Sequence, residues 1–308
     1  MLSIFVLTNP ETTSEALANV YTILSIKFET IFMYGSFLIL VFLMILAFSK
    51  FGSKTITIQN KYNYGMISWC SMLFAAGIGA TLLYWSTIEW IDYFNILSND
   101  PLYNEVKVMQ YSRAYPIFHW GPTAWAIYCL PVIAFGLAIT KKPNAPLTFS
   151  GILNIKNMFL KTIFDVIFIG SIICAAGVGL GLSFPLISSV ISKIFEIERS
   201  FALDIGTIIL CSFVFASSAY IGIQNGIKRL SNINIALLLI FLFFVFIIGP
   251  TNYILDNSIK TIVFYSNEYL NLSLSTGTKI SIDWTVFYWA WWFALSPMVG
   301  TFLVNISN

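Results

Sequence analysis

Residues 230–255, LSNINIALLLIFLFFVFIIGPTNYIL, contain no charged side chain. An α-helix needs ~20 predominantly apolar residues to cross the hydrocarbon core of a bilayer, and this stretch exceeds that. Lipid offers the backbone no hydrogen-bond partner, so a continuous apolar run of such length satisfies its own N–H and C=O groups as a helix. The pattern repeats along the chain. Residues 31–49, 66–88, 166–192, 205–227 and 284–308 are also free of charge, and 117–140 carries only the titratable His119. Seven spans are therefore predicted, and the fold class is all-α, a polytopic helical membrane bundle.

Composition leads to the same class. The 308 residues are 58% hydrophobic and 10% charged, with a mean hydropathy of +0.82, far from a soluble domain. A net charge of +2 gives no electrostatic footprint for nucleic acid. Cys70, Cys129, Cys174 and Cys211 each fall inside an apolar run without metal spacing, and are expected as small buried hydrophobes. No HExxH, GxSxG, phosphate loop or paired intramembrane carboxylates occur, so the sequence names no agent for chemistry on a covalent bond, and an enzyme is not expected. Gly177-Val178-Gly179-Leu180-Gly181 lacks a preceding strand and is not a dinucleotide loop.

Charge placement orients the bundle. Lys50, Lys54 and Lys61, then Lys141, Lys142, Lys156 and Lys161, then Lys228 and Arg229 occupy alternate loops, which the positive-inside rule assigns to the cytoplasm. The first residues then lie outside and Asn308 inside. Glu89 and Asp92 are expected at a solvated helix end on the outer side, and residues 257–270 as a short interfacial helix. An outside N-terminus without an export signal, and a chain that stops just past a tryptophan-rich helix, lead to the expectation of a fragment.

Two aromatic clusters stand out, HWGPTAWAIY at His119–Tyr128 and YWAWW at Tyr288–Trp292 followed by Ser296-Pro297. Indole faces attract cations that cannot donate hydrogen bonds, such as a quaternary ammonium. On one continuous helix Trp120, Trp125 and Tyr128 share a side, and Gly121-Pro122 is expected to kink it. Trp291 and Trp292 lie about 100° apart, so at most one faces a cavity while its neighbour flanks it. Ser296-Pro297 is expected to break that helix one turn later, as at transporter sites. His119, the one histidine, reads as a packing or interface residue. A seven-helix receptor or sensor is the alternative class, and it leaves the tryptophan blocks unexplained.

These blocks resemble the betaine/carnitine/choline transporter family. The resemblance is carried by WCSMLFAAGIGATLLYWSTIE (Trp69–Glu89), RAYPIFHWGPTAWAIY (Arg113–Tyr128), GIKRLSNIN (Gly226–Asn234) with Gly249-Pro250-Thr251, and WTVFYWAWWFALSPMVG (Trp284–Gly300). It implies a partial inverted-repeat (LeuT-like) transporter domain over 1–308. Residues 1–65 would form an extra-helix region, 66–255 the first five-helix repeat, 256–283 an interfacial helix and outer loop, and 284–308 the first helix of the second repeat. It further implies secondary transport or symport of quaternary ammonium or sulfonium solutes of the glycine betaine, choline and carnitine type, by alternating access, across the cell (inner) membrane.

Carried over residue by residue, the resemblance makes Trp120, Trp125, Tyr128 and Trp292 the rings of an aromatic substrate box, with Trp291 beside it. It implies no organic cofactor. Na⁺ is a candidate coupling ion, with backbone carbonyls of Ala75 and Ile78 as ligands, and the implied partners are an onium solute, the lipid bilayer and two further copies in a homotrimer. Leu295, Met298 and the motif Gly77-Ile78-Gly79-Ala80-Thr81 depart from the family pattern.

Overall fold

A computed structural model describes residues 8–54, 64–77, 81–141, 148–153 and 155–307; among them the regular elements are all helical. Helices α1 (Pro10–Phe48), α2 (Met66–Gly77), α3 (Thr81–Ser98), α4 (Glu105–His119) and α5 (Pro122–Lys141) are followed by the short α6 (Phe149–Ile152). Then come α7 (Met158–Phe195), α8 (Phe201–Ile221), α9 (Lys228–Ile248), α10 (Thr251–Leu274) and α11 (Val286–Ile306). Single π-helical turns at Ile223–Ile227 and Ser281–Thr285 precede α9 and α11.

Six helical stretches among the described residues are long and apolar enough to cross a membrane, and Met66–Ala75 is a shorter apolar helix. The protein is a polytopic helical membrane protein. The seventh predicted span, residues 66–88, carries α2 and the first part of α3, and residues 78–80 between them lie outside the described residues. The predicted interfacial helix is longer than expected, reaching from Thr251 to Leu274.

Outward faces are apolar: Leu237, Phe243 and Ile248 on α9 are more than half exposed, while the one buried residue of that helix is Ser231. Against lipid, burial follows packing and hydrogen bonding rather than hydrophobicity, which is why small and polar residues collect inside. It also corrects the cysteine expectation. Cys70, Cys129 and Cys174 are exposed and Cys211 is partly so, because an outward face in lipid is as apolar as a core.

The described residues divide into two compact units. The first takes the N-terminal helix α1, Trp90–Ile127 and Thr261–Phe293. Here α1 is stapled along one face: the Tyr21 hydroxyl donates to the Asp283 carbonyl at 2.9 Å, Glu29 accepts from the Gly277 N–H at 2.8 Å and from the Ser281 hydroxyl, and Phe32 meets Phe293. Positions 21, 25, 29 and 32 recur at helical spacing, so one stripe of α1 faces this way. Asn104 caps α4 by accepting from the Lys107 N–H at 2.9 Å.

The second unit takes Ser53–Glu89, Tyr128–Lys260 and Ala294–Asn308. Its centre is Phe135, Phe168 and Val304, with Phe149 edge-on to both rings. Asp165 holds α6 by accepting from the Ser150 hydroxyl at 2.7 Å. Asn232 donates to Ser68 and the Trp69 indole donates to Ser307, each at 3.0 Å, tying α2 to α9 and to the end of α11. Pro297 sits inside a continuous α11, so the break expected at Ser296-Pro297 is absent. Proline removes one donor there, and packing around the turn carries the helix through.

Candidate functional site

The first unit assembles the aromatic corner. Helix α4 ends at His119, Trp120 is its C-cap with φ −105° and ψ 3°, and α5 begins at Pro122. Proline at the first helical position loses a donor that a helix start leaves unpaired anyway. Gly121 is needed at the joint: a Cβ there would stand 2.4 Å from the Ile117 carbonyl oxygen and 3.1 Å from the Tyr265 hydroxyl. The expected kink is thus a full break, and Trp120 belongs to the end of α4 rather than to the helix that carries Trp125.

Despite the break, both rings reach one partner. Trp292 is buried, with Trp120 at 5.8 Å between ring centroids and 79° between planes, and Trp125 at 6.0 Å and 56°. Trp120 and Trp292 thus pack edge-to-face at nearly a right angle.

Trp291 points along another line. Its ring meets Phe287 at 5.6 Å, and Phe287 meets Tyr21 of α1 at 6.5 Å, so it packs on the flank of α11. Tyr128 is buried one turn beyond Trp125 on α5 and belongs to the second unit. Ala75 lies in the last turn of α2, also in the second unit, and Ile78 lies outside the described residues.

Behind the corner is a polar device that sequence reasoning missed. His119 is fully buried. Its Nδ1 lies 2.7 Å from the Tyr93 hydroxyl and its Nε2 3.0 Å from Thr285 Oγ1. The imidazole stacks on Tyr288 at 4.5 Å and 14°, and Tyr288 in turn meets Trp120 edge-to-face at 5.7 Å. Tyr288 and Trp292 are one helical turn apart on one face of α11. The π-helical turn Ser281–Thr285 supplies Thr285, and such insertions are frequent at functional sites. The adjacency of the histidine to Trp120 was visible in sequence; its partners on α3 and before α11 were not.

Glu89 also departs from expectation. It is buried in the middle of α3 rather than solvated at a helix end, because α3 continues to Ser98. Elsewhere in the first unit Glu268 accepts from the Tyr111 hydroxyl at 2.6 Å and the Asn271 amide at 2.7 Å. These hydrogen bonds, Asn271 foremost, hold its carboxyl below the usual glutamate range.

Known proteins share much of this sequence pattern. The chain matches the family described as "BCCT, betaine/carnitine/choline family transporter" over residues 1–308. It is 31% identical to a carnitine transporter of Acinetobacter baumannii over 91% of this chain and 52% of that protein. It is 30% identical to an ectoine/hydroxyectoine transporter of Virgibacillus pantothenticus over 92% of this chain and 58% of that one. Identity to an osmo-independent choline transporter of Acinetobacter baylyi is 31%, over 97% and 59% respectively. The chain spans a little over half the length of these relatives, all named as transporters rather than enzymes. With the family matched over its whole length, and its tryptophan blocks folded into one aromatic corner, the chain belongs to the betaine/carnitine/choline transporter family.

Proposed function

We propose that this chain carries the substrate site of a secondary transporter for quaternary ammonium or related onium compatible solutes. The observation that supports it most is the Trp120–Trp292 corner, with Trp125 on the same central ring. A trimethylammonium group spreads its charge over methyl surfaces and donates no conventional hydrogen bond, so it loses less on leaving water than a compact ammonium does, and indole faces offset part of that cost. Carnitine and choline, named for two relatives, both carry this group. Tyr128, on the next turn of α5 and in the second unit, is proposed as a further substrate ring on the family resemblance alone, and Trp291 braces α11. Alternating access would move the walls apart and re-form them around the solute. Na⁺ as coupling ion, with Ala75 and Ile78 as carbonyl ligands, the cell (inner) membrane as location and a homotrimeric assembly belong to the same proposal.

The test is uptake. The gene containing this chain, expressed in a host lacking its own onium uptake systems, gives accumulation of labelled glycine betaine, choline or carnitine. Replacing external Na⁺ with K⁺ abolishes that accumulation if Na⁺ is coupled. Absence of uptake for every onium solute, with the protein present in the membrane, refutes the reading.

A further inference from the structure

We infer that His119 is the positioning residue of the aromatic corner, setting the spacing between Trp120 and Trp292 without touching the solute itself. The inference rests on the transport reading for its consequence and on the structure for its geometry. One planar group links the end of α4 to α11. His119 precedes Trp120 in the chain, at the joint where α4 stops and α5 starts. It lies face to face with Tyr288 at 4.5 Å, one turn before Trp292, and Tyr288 is edge-on to Trp120. The imidazole is therefore the spacer between the end of α4 and the face of α11 that bears Trp292.

Its orientation is fixed at both ring nitrogens. Tyr93 holds Nδ1 from α3 and Thr285 holds Nε2 from the π-helical turn. The ring cannot rotate about its Cβ–Cγ bond without breaking both hydrogen bonds, and with full burial no water replaces them. Tyr115 and Trp289 close the remaining sides, at 5.7 Å and 5.8 Å from the imidazole centroid. Burial alone would ask for both nitrogens to be paired; what marks this imidazole is that the two partners stand on different elements, α3 and the π-helical turn, while its face lies on Tyr288 of α11. Such an anchorage fixes an angle between two rings, and a site held loosely by its supporting shell loses the affinity its ligating groups offer.

Three substitutions separate the contributions. His119→Phe keeps the stack on Tyr288 and loses both hydrogen bonds. His119→Gln keeps polar contacts and loses the stack. Thr285→Val removes one hydrogen bond and leaves the imidazole in place. The readout is the set of indole ¹⁵N–H resonances in ¹⁵N-tryptophan-labelled protein, assigned by single Trp→Phe variants, together with affinity for glycine betaine, choline and carnitine. Trp69, whose indole is fixed to Ser307 in the second unit, is the internal control.

The expected result is that all three variants shift Trp120 and Trp292 but leave Trp69 in place. Onium affinity falls about tenfold in His119→Phe and His119→Gln, the equivalent of losing one cation–π wall, and less in Thr285→Val. Unmoved Trp120 and Trp292 signals in the three variants overturn the inference. So does equal movement of Trp69, since the imidazole then serves the whole bundle. Wild-type protein that binds no onium solute while the predicted shifts appear refutes the transport reading and leaves the positioning role standing.

Discussion

Replacing Glu29 should loosen the N-terminal helix from the start of the helix that bears Trp292. One oxygen, Oε1, accepts from the Gly277 N–H at 2.8 Å and from the Ser281 hydroxyl. Ser281 has a second acceptor, the Thr278 carbonyl at 2.8 Å. Among the described residues Gly277 N–H has only Glu29. Glu29→Ala therefore leaves one part-buried backbone donor unpaired, a cost of about 1–2 kcal/mol. It also removes a carboxylate near a helix N-terminus, worth a further ~0.3–1 kcal/mol. Glu29→Gln keeps the acceptor and loses only the charge assistance, so its cost is about half. At roughly 2 °C per kcal/mol, the low end of the scale, which suits a large chain, Glu29→Ala lowers the melting midpoint by about 3–6 °C and Glu29→Gln by about 1–3 °C. The assay is thermal unfolding of purified protein in detergent, followed by tryptophan fluorescence. A Glu29→Ala midpoint equal to wild type, or a Glu29→Gln loss as large as that of Glu29→Ala, refutes the reasoning.

Other consequences can be checked separately. Thr285 donates toward the Ile280 carbonyl at 3.5 Å, so its oxygen can accept from His119 Nε2–H while Tyr93 donates to Nδ1; ¹⁵N-histidine NMR of the sole histidine should report the Nε2–H tautomer, and an Nδ1–H signal contradicts this polarity. Gly121→Ala puts a methyl against the Ile117 carbonyl, so onium affinity should fall at least tenfold with expression retained, and unchanged binding argues against a fixed joint. Glu268 is held below the ordinary glutamate range by Asn271 and Tyr111. Because its folded value is lowered, its contribution is complete above the unfolded value of about 4.3 and disappears as pH falls through the folded one. The stability gap between wild type and Tyr111→Phe should thus be constant near neutrality and close under acid; a gap that widens there contradicts the assignment.

The spans were legible because a charge-free run of ~20 residues is rare outside a helix that crosses a bilayer. Their ends were not, since a helix need not stop where its first charge stands. Helix α3 runs past Glu89 because that carboxyl is buried inside the protein, and α1 begins at Pro10, well before the uncharged stretch starting at residue 31. Helical spacing could relate Trp120 to Trp125 only on one continuous helix, and Gly121 ends that helix. Both rings nevertheless reach Trp292, so the cluster was legible where its backbone was not. The 100° between Trp291 and Trp292 announced that one would turn away, and only the partners, Phe287 for one and Trp120 with Trp125 for the other, say which. His119 was visible as the one histidine, beside a tryptophan, while Glu29 drew no reading. Their meaning lay in partners more than 150 residues distant in the chain, which no local pattern encodes.

The central claim is that the Trp120–Trp292 corner recognises a positive charge and not merely a branched apolar group. Titrating the purified protein with choline and with 3,3-dimethyl-1-butanol, its uncharged carbon isostere, tests this directly by tryptophan fluorescence. Two or three indole faces at about 0.5–2 kcal/mol each predict that choline binds at least about fivefold more tightly, and that Trp292→Leu removes most of the difference. Equal affinity for the two compounds, or a preference that survives in Trp292→Leu, would contradict the account.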